Sequence, residues 1–191
     1  MLQTPLRLNI NQAHLTDEQF NLICQNNPEL SFEKTSQGAL IIMSPVGGDS
    51  GNRESELIGD LVLWNRQTKL GFTFSSSTIF KLPNGANRSP DVAWIEKSRW
   101  LNLTPMDRMK FPPIAPDFVI ELRSQSDDLL SLQNKMKEYI SVGVKLGWLI
   151  NPQDQQVEIY RVVKEPEIVN LPVQLSGENV LPGLILDLPM Y

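Results

Sequence analysis

The sequence contains one cysteine, Cys24, and one histidine, His14, in 191 residues. A lone cysteine excludes an intrachain disulfide and gives no sign of an oxidising compartment; Cys24 reads as a small buried apolar residue on a helix. A single histidine excludes His-rich zinc sites, Ser-His-Asp triads and histidine-based nuclease chemistry. Long apolar runs are missing too. LIIM at 40–43 and LGWLI at 146–150 fall far short of the roughly 20 residues that a membrane helix requires. The N-terminal stretch MLQTPLRLNINQAHLTDEQF lacks the apolar core of a secretion signal. A soluble, cytoplasmic protein with no membrane partner is expected.

Positive charge is also scarce: 17 Lys+Arg stand against 22 Asp+Glu, for a net charge of -5, and the basic residues are scattered. Non-specific DNA binding comes from phosphate neutralisation by clustered cations, so strong binding of that kind is not expected. Any nucleic-acid contact must depend on a local site, a metal or oligomerisation. Catalysis, with histidine removed, rests on carboxylates and lysine.

What is present is an ordinary globular composition, 41% apolar and 20% charged, at a length expected to form one domain over residues 1–191. Thr16 caps a first helix near 16–26, with Phe20, Ile23 and Cys24 on one face. LSFEKT and ALIIMSP read as a hairpin turning at 36–38, and PVGGDSGN as a flexible loop in which Gly47 and Gly48 are linker residues. Leu57, Ile58, Leu61 and Trp64 mark a helix over 52–69. GFTFSSSTIFKL and SPDVAWIE read as strands of one sheet, and 97–116 as a connector with a helical turn or two. PDFVIELR is a strand with Asp117, Val119, Glu121 and Arg123 on one side and Phe118, Ile120 and Leu122 on the other. Ser126 or Asp127 caps a helix that runs to about Val142 and ends at Gly143. The remaining segments, KLGWLINP with a core Trp148, QQVEIYRVV, PEIVN and VLPGLILDL, read as strands. The order predicts a mixed α/β fold: a central mixed sheet flanked by helices, preceded by an N-terminal helix and hairpin.

Two strands open with the same dipeptide, Pro90-Asp91 and Pro116-Asp117. Asp91 at the start of one strand and Glu121 near the end of the next meet if the strands are neighbours. Converging acids repel, and a divalent cation is the usual reason to place them together. Mg²⁺, with hard oxygen ligands and retained waters, suits that pair and the attack of water on a phosphodiester. Arg123 occupies the position where a lysine would complete an ExK pattern, but arginine does not release its proton. Lys135, beside Leu132 and Tyr139 at the edge of the next helix's apolar face, is the better lysine, able to reach back over the sheet. Lys137 reads as a solvated charge, Asp117 as a turn residue and Tyr139 as core.

The order SPDVAW, PDFVIELRSQSD, KMKEYISVGVKLGWLINP, VEIYR and VLPGLILDL, with ALIIMSPVGGDSGNRESEL and STIFKLPNGANRSP in front, resembles the Uma-two family of restriction-endonuclease-like proteins over nearly the whole chain. The resemblance implies the PD-(D/E)xK nuclease fold and a metal-dependent endonuclease, with Mg²⁺ or Mn²⁺ as cofactor. Its partner is nucleic acid, DNA before RNA, and a homodimer would supply the two sites that duplex cleavage needs. Residue by residue it implies Asp91 as the PD acid, Glu121 as the second acid and Lys135 as a lysine moved from strand to helix. Glu56 is the matching acid on the first long helix, although Glu54 lies nearer the middle of the apolar face. Two other readings fit the same residues: a nuclease fold serving as a binding or scaffold module, and a phosphoesterase acting on a smaller substrate.

Overall fold

The computed structural model describes residues 5–10 and 15–191, so His14 lies outside the described residues. The chain runs through β1 (Leu6–Leu8), α1 (Asp17–Asn26), β2 (Phe32–Lys34), β3 (Leu40–Ile42) and α2 (Gly48–Thr68). It continues through β4 (Gly71–Ser75), β5 (Phe80–Lys81), β6 (Asn87–Arg88), β7 (Val92–Glu96), α3 (Lys97–Leu101) and α4 (Pro105–Met109). Last come β8 (Phe118–Leu122), α5 (Leu129–Ser141), β9 (Leu146–Asn151), β10 (Gln156–Arg161), β11 (Glu167–Asn170), β12 (Val173–Ser176) and β13 (Ile185–Leu188).

Helix α1 begins at the expected cap. Thr16 Oγ1 accepts the Gln19 N–H at 3.2 Å and Gln19 Oε1 accepts the Thr16 N–H at 2.9 Å, a reciprocal capping box. Cys24 is half-buried beside the small core of Phe20, Phe32 and Leu40. Helix α2 starts at Gly48, inside the segment expected as a loop. Its first turn carries no apolar periodicity to announce it, and Gly47 supplies no side-chain cap. The cap of α5 is Asp128, whose Oδ2 accepts the Ser131 N–H at 2.8 Å. Asp127, one of the two expected caps, instead closes the preceding turn on Ser124 N and Oγ at 2.8 and 2.7 Å.

Among the described residues six strands form a mixed sheet in the order β11-β10-β9-β8-β7-β4, in which β8 and β9 run parallel and the other neighbours antiparallel. Five others form a second sheet, β1-β3-β2-β6-β5, and β12 and β13 make a two-stranded ribbon. The segment expected to lie in one sheet is therefore divided: β4 and β7 belong to the large sheet, whereas β5 turns away at Ser75–Thr78 to pair with β6. Val92, Trp94, Phe118, Ile120 and Trp148 of the large sheet pack with Leu57, Leu61 and Trp64 of α2 and with the ribbon. Ala93, Ile95, Val119 and Leu149 face the other way, onto Met136 and Tyr139 of α5. This alternation, with period two along each strand, decides which side the polar residues at the strand ends occupy. Among the described residues no helix is long and apolar enough to cross a membrane.

Candidate functional site

Strands β7 and β8 are antiparallel neighbours with Val92 opposite Ile120. One step further along the same register sets Asp91 opposite Glu121, and directly opposed residues have Cβ atoms about 4.5–5.5 Å apart on one face. That face is the one covered by α5. Asp91 Oδ2 accepts the Leu122 N–H at 2.7 Å, which ties the first acid to the residue after the second. Glu121 is 3% exposed. Its two oxygens lie 2.8 and 2.9 Å from Lys135 Nζ, and Oε1 also accepts the Tyr139 hydroxyl at 2.9 Å. Lys135 and Tyr139 are four residues apart on α5, so both project from one helix face onto the same carboxylate.

The small sheet delivers a third acid. Glu33 on β2 is 2% exposed and lies 2.9 Å from Lys135 Nζ. It also accepts the Ser89 N–H at 2.9 Å and pairs with Arg88 Nη1 at 3.0 Å. Arg88 in turn reaches Glu138 on α5 at 2.6 Å. Sequence reasoning missed Glu33: its strand is only Phe32-Glu33-Lys34, too short and too charged to set one buried acid apart from a solvated one. It also missed Arg88 and Glu138.

Four carboxylates, Asp91, Glu121, Glu33 and Glu138, thus face two cations, Lys135 and Arg88. Burial, reinforced by the Glu121 charge, holds the Asp91 carboxyl well above the usual range. Burial also raises Glu121, with Lys135 opposing it and Glu33 adding to it. Burial works to raise Glu33, but Lys135 and Arg88 outweigh it and bring that group below its ordinary value. Lys135 is pulled the opposite way by burial, yet Glu121 and Glu33 hold it protonated more firmly than a free lysine. Burial and the Glu121 charge push the Tyr139 phenol far up, so it stays a neutral donor. Acidic groups therefore outnumber the cations in this cluster four to two. A cavity of about 570 Å³ opens beside it, bounded by Glu33, Arg88, Lys135 and Glu138.

The family model described as "Putative restriction endonuclease" matches residues 17–189. The chain belongs to the Uma2 family. A crystal structure described as a "putative nuclease belonging to DUF820" from Anabaena variabilis ATCC 29413 shares the fold of this Uma2 chain. The TM-score is 0.71 at 21% identity, over 84% of this chain and 88% of that one. No curated protein matches the chain.

Within this Uma2 fold the expected residues separate into two groups. Asp91, Glu121 and Lys135 come together, with Tyr139, read from sequence as core, bonded to Glu121. Glu56, matched to the helix acid, is exposed and borders a different cavity with Asp60 and Asp187. Glu54, two positions earlier and about 200° round the helix, is half-buried. Its Oε1 accepts the Ser76 hydroxyl at 2.6 Å, and its charge is among those acting on Asp91. Arg123, at the usual lysine position, turns away to Asn151 and Asp154, both at 3.2 Å. Asp117 is no simple turn residue: it is fully buried, held by Arg99 and Lys145 at 2.8 Å each, and it accepts the Glu96 N–H at 2.8 Å. Lys137 is exposed, as expected. Among the described residues no group of three or more His, Cys, Asp or Glu side chains could hold a metal ion; the candidate ligands are the pair Asp91 and Glu121.

Proposed function

We propose that this Uma2 protein is a divalent-metal-dependent nuclease that hydrolyses phosphodiester bonds in nucleic acid, with DNA as the expected substrate. The observation that carries the reading is the meeting of Asp91 and Glu121 beside Lys135, in a cluster where carboxyl groups outnumber cations.

The donor set fits a hard cation. Only one Asp91 oxygen has a protein hydrogen bond among the described residues, and Asp91 is the carboxyl whose ionised form burial, and then repulsion from Glu121, disfavours most clearly. Mg²⁺ is commonly held by one or two carboxylates while keeping several waters, and Mn²⁺ accepts the same oxygen ligands. Asp91 and Glu121 would hold the ion, which when bound supplies a water of lowered pKa and neutralises charge on the phosphate. Glu121 would share its oxygens between that role and Lys135. Lys135, held protonated between two acids, acts as a fixed cation toward the scissile phosphate rather than as a base. Tyr139 orients Glu121 by its hydrogen bond. Glu54, rather than Glu56, is the helix acid of this reading. The protein acts in the cytoplasm as a single domain, 1–191, and a homodimer provides the second site for duplex cleavage.

The test is cleavage of supercoiled plasmid and single-stranded DNA with Mg²⁺ or Mn²⁺, comparing the wild type with folded Asp91→Ala and Glu121→Ala proteins. Cutting by the wild type that both substitutions abolish supports the reading. No cutting across metals and substrates sinks it. The second reading, a nuclease fold used as a binding module, is favoured by Arg123 at the usual lysine position, directed away from the acids. Calorimetric titration with Mn²⁺ separates the two, since a binding module need not take up the ion.

A further inference from the structure

A lysine at a reacting phosphate works only if its ammonium is held in place. The lysine side chain is a flexible four-carbon stem, so α5 alone fixes where Lys135 starts and not where Nζ ends. Two carboxylates do the rest: Glu121 from the large sheet and Glu33 from the small one, at 2.8 and 2.9 Å.

These two anchors differ. Under the nuclease reading, on which a positioning role for Glu33 rests, Glu121 also serves the metal. Glu33 is not needed there and is itself immobilised, by the Ser89 N–H on one oxygen and Arg88 on the other. Arg88 is pinned by Glu138, and Glu138, which also accepts from Asn84 at 3.1 Å, sits on α5 three residues after Lys135. The contacts close a ring, Lys135 to Glu33 to Arg88 to Glu138 and back along the helix, with every member buried or nearly so. A ring that returns to its own helix fixes the ammonium relative to the backbone that carries it.

We propose that Glu33 is a positioning residue for Lys135, and that the β1-β3-β2-β6-β5 sheet, through Glu33 and Arg88, completes the active site. A plain structural staple between the small sheet and α5 would use the same contacts but would leave the chemistry of Lys135 untouched, which gives the test.

Glu33→Gln keeps the shape and removes the charge. In the full-length folded protein its cleavage kcat is expected to fall on the order of 100-fold, the scale of a misplaced catalytic group. KM should stay within about twofold, the mark of an interaction used in the transition state. Glu33→Asp, which keeps the charge on a shorter stem, should recover part of the rate. A second readout does not need activity: amine acetylation followed by mass spectrometry should show Lys135 protected in the wild type and labelled severalfold faster in Glu33→Gln, with the other lysines unchanged. If the variant does not fold, Arg88→Lys keeps the charge while breaking the two-handed grip on Glu33 and Glu138, and should raise Lys135 labelling in the same way. Unchanged kcat with unchanged labelling overturns the proposal. If the wild type cuts nothing, labelling decides alone: a rise supports the positioning role while the nuclease reading fails, and no rise sinks the positioning role independently.

Discussion

Asp91 accepts the backbone N–H of Leu122 through Oδ2 at 2.7 Å, so the acid that opens β7 is fastened to the residue immediately following Glu121 on β8. The bond holds two carboxyl groups together at the end of one strand pair, where burial and mutual repulsion oppose ionising both. Such an arrangement is unfavourable for folding in the absence of a cation and favourable for holding one.

Asp91→Asn should therefore stabilise the metal-free protein while abolishing cleavage. The asparagine oxygen can still accept the Leu122 N–H, and the repulsion is gone. The gain is read as a rise in melting temperature of the metal-free protein. The pH dependence has a definite sign. A carboxyl whose folded pKa is raised contributes stability that is fully present below its unfolded value of 3.8 and lost as pH rises through the folded value. The advantage of Asp91→Asn over the wild type should thus grow with pH in thermal melts and shrink when Mn²⁺ is added. An advantage independent of both pH and metal would contradict this account.

Glu54→Ala and Glu56→Ala should part company. Glu54 is half-buried, bonded to Ser76 and close enough to act on Asp91, so its removal should slow cleavage by at least about tenfold, about 1.4 kcal/mol of transition-state stabilisation. Glu56 is exposed on the far side of the helix, and its loss should leave both the rate and the melting temperature within error. Parallel rate measurements on the two proteins decide between them, and equal effects would remove Glu54 from the site.

The contrast between these neighbours shows what the sequence made legible. Strand alternation was enough to put Glu121 on a defined face, and the repeated Pro-Asp signal pointed to Asp91. Lys135 followed from its place at the edge of an apolar helix face. Glu33 and Arg88 stayed hidden because they lie 55 positions apart on strands of three and two residues, too short to show a period. Their contacts depend on how a second sheet docks on α5. Tyr139 has the spacing of a core residue and is one; only the strand beneath it turns its hydroxyl into a partner for Glu121. The start of α2 was invisible for a similar reason, since its first turn contains no large apolar residue and has glycines at 48 and 51.

Arg123→Ala should change cleavage by no more than about twofold, within the range of substitutions away from the reacting groups. Sequence position alone makes Arg123 the counterpart of a strand lysine, but its guanidinium is occupied by Asn151 and Asp154. A small loss of stability from the loosened β9–β10 turn is the expected effect, read from thermal melts. A large fall in kcat with the fold intact would mean that Arg123 reaches the phosphate when substrate is present.

Lys135→Met tests the charge cluster as a unit. Methionine fills most of the lysine stem but leaves Glu121 facing Asp91 without a cation and Glu33 with Arg88 alone. Breaking one partner out of a buried ionic network costs about 3–5 kcal/mol, so the melting temperature should fall by roughly 10 °C. Adding Glu33→Gln to Lys135→Met should restore part of the loss, because the second substitution removes a charge that the first left short of partners. The interaction measured by that double-mutant cycle should be about 0.5–3 kcal/mol, the range found for residues in one network. A coupling near zero would mean that Glu33 is satisfied by Arg88 and Ser89 alone, and that its 2.9 Å approach to Lys135 contributes nothing to the fold.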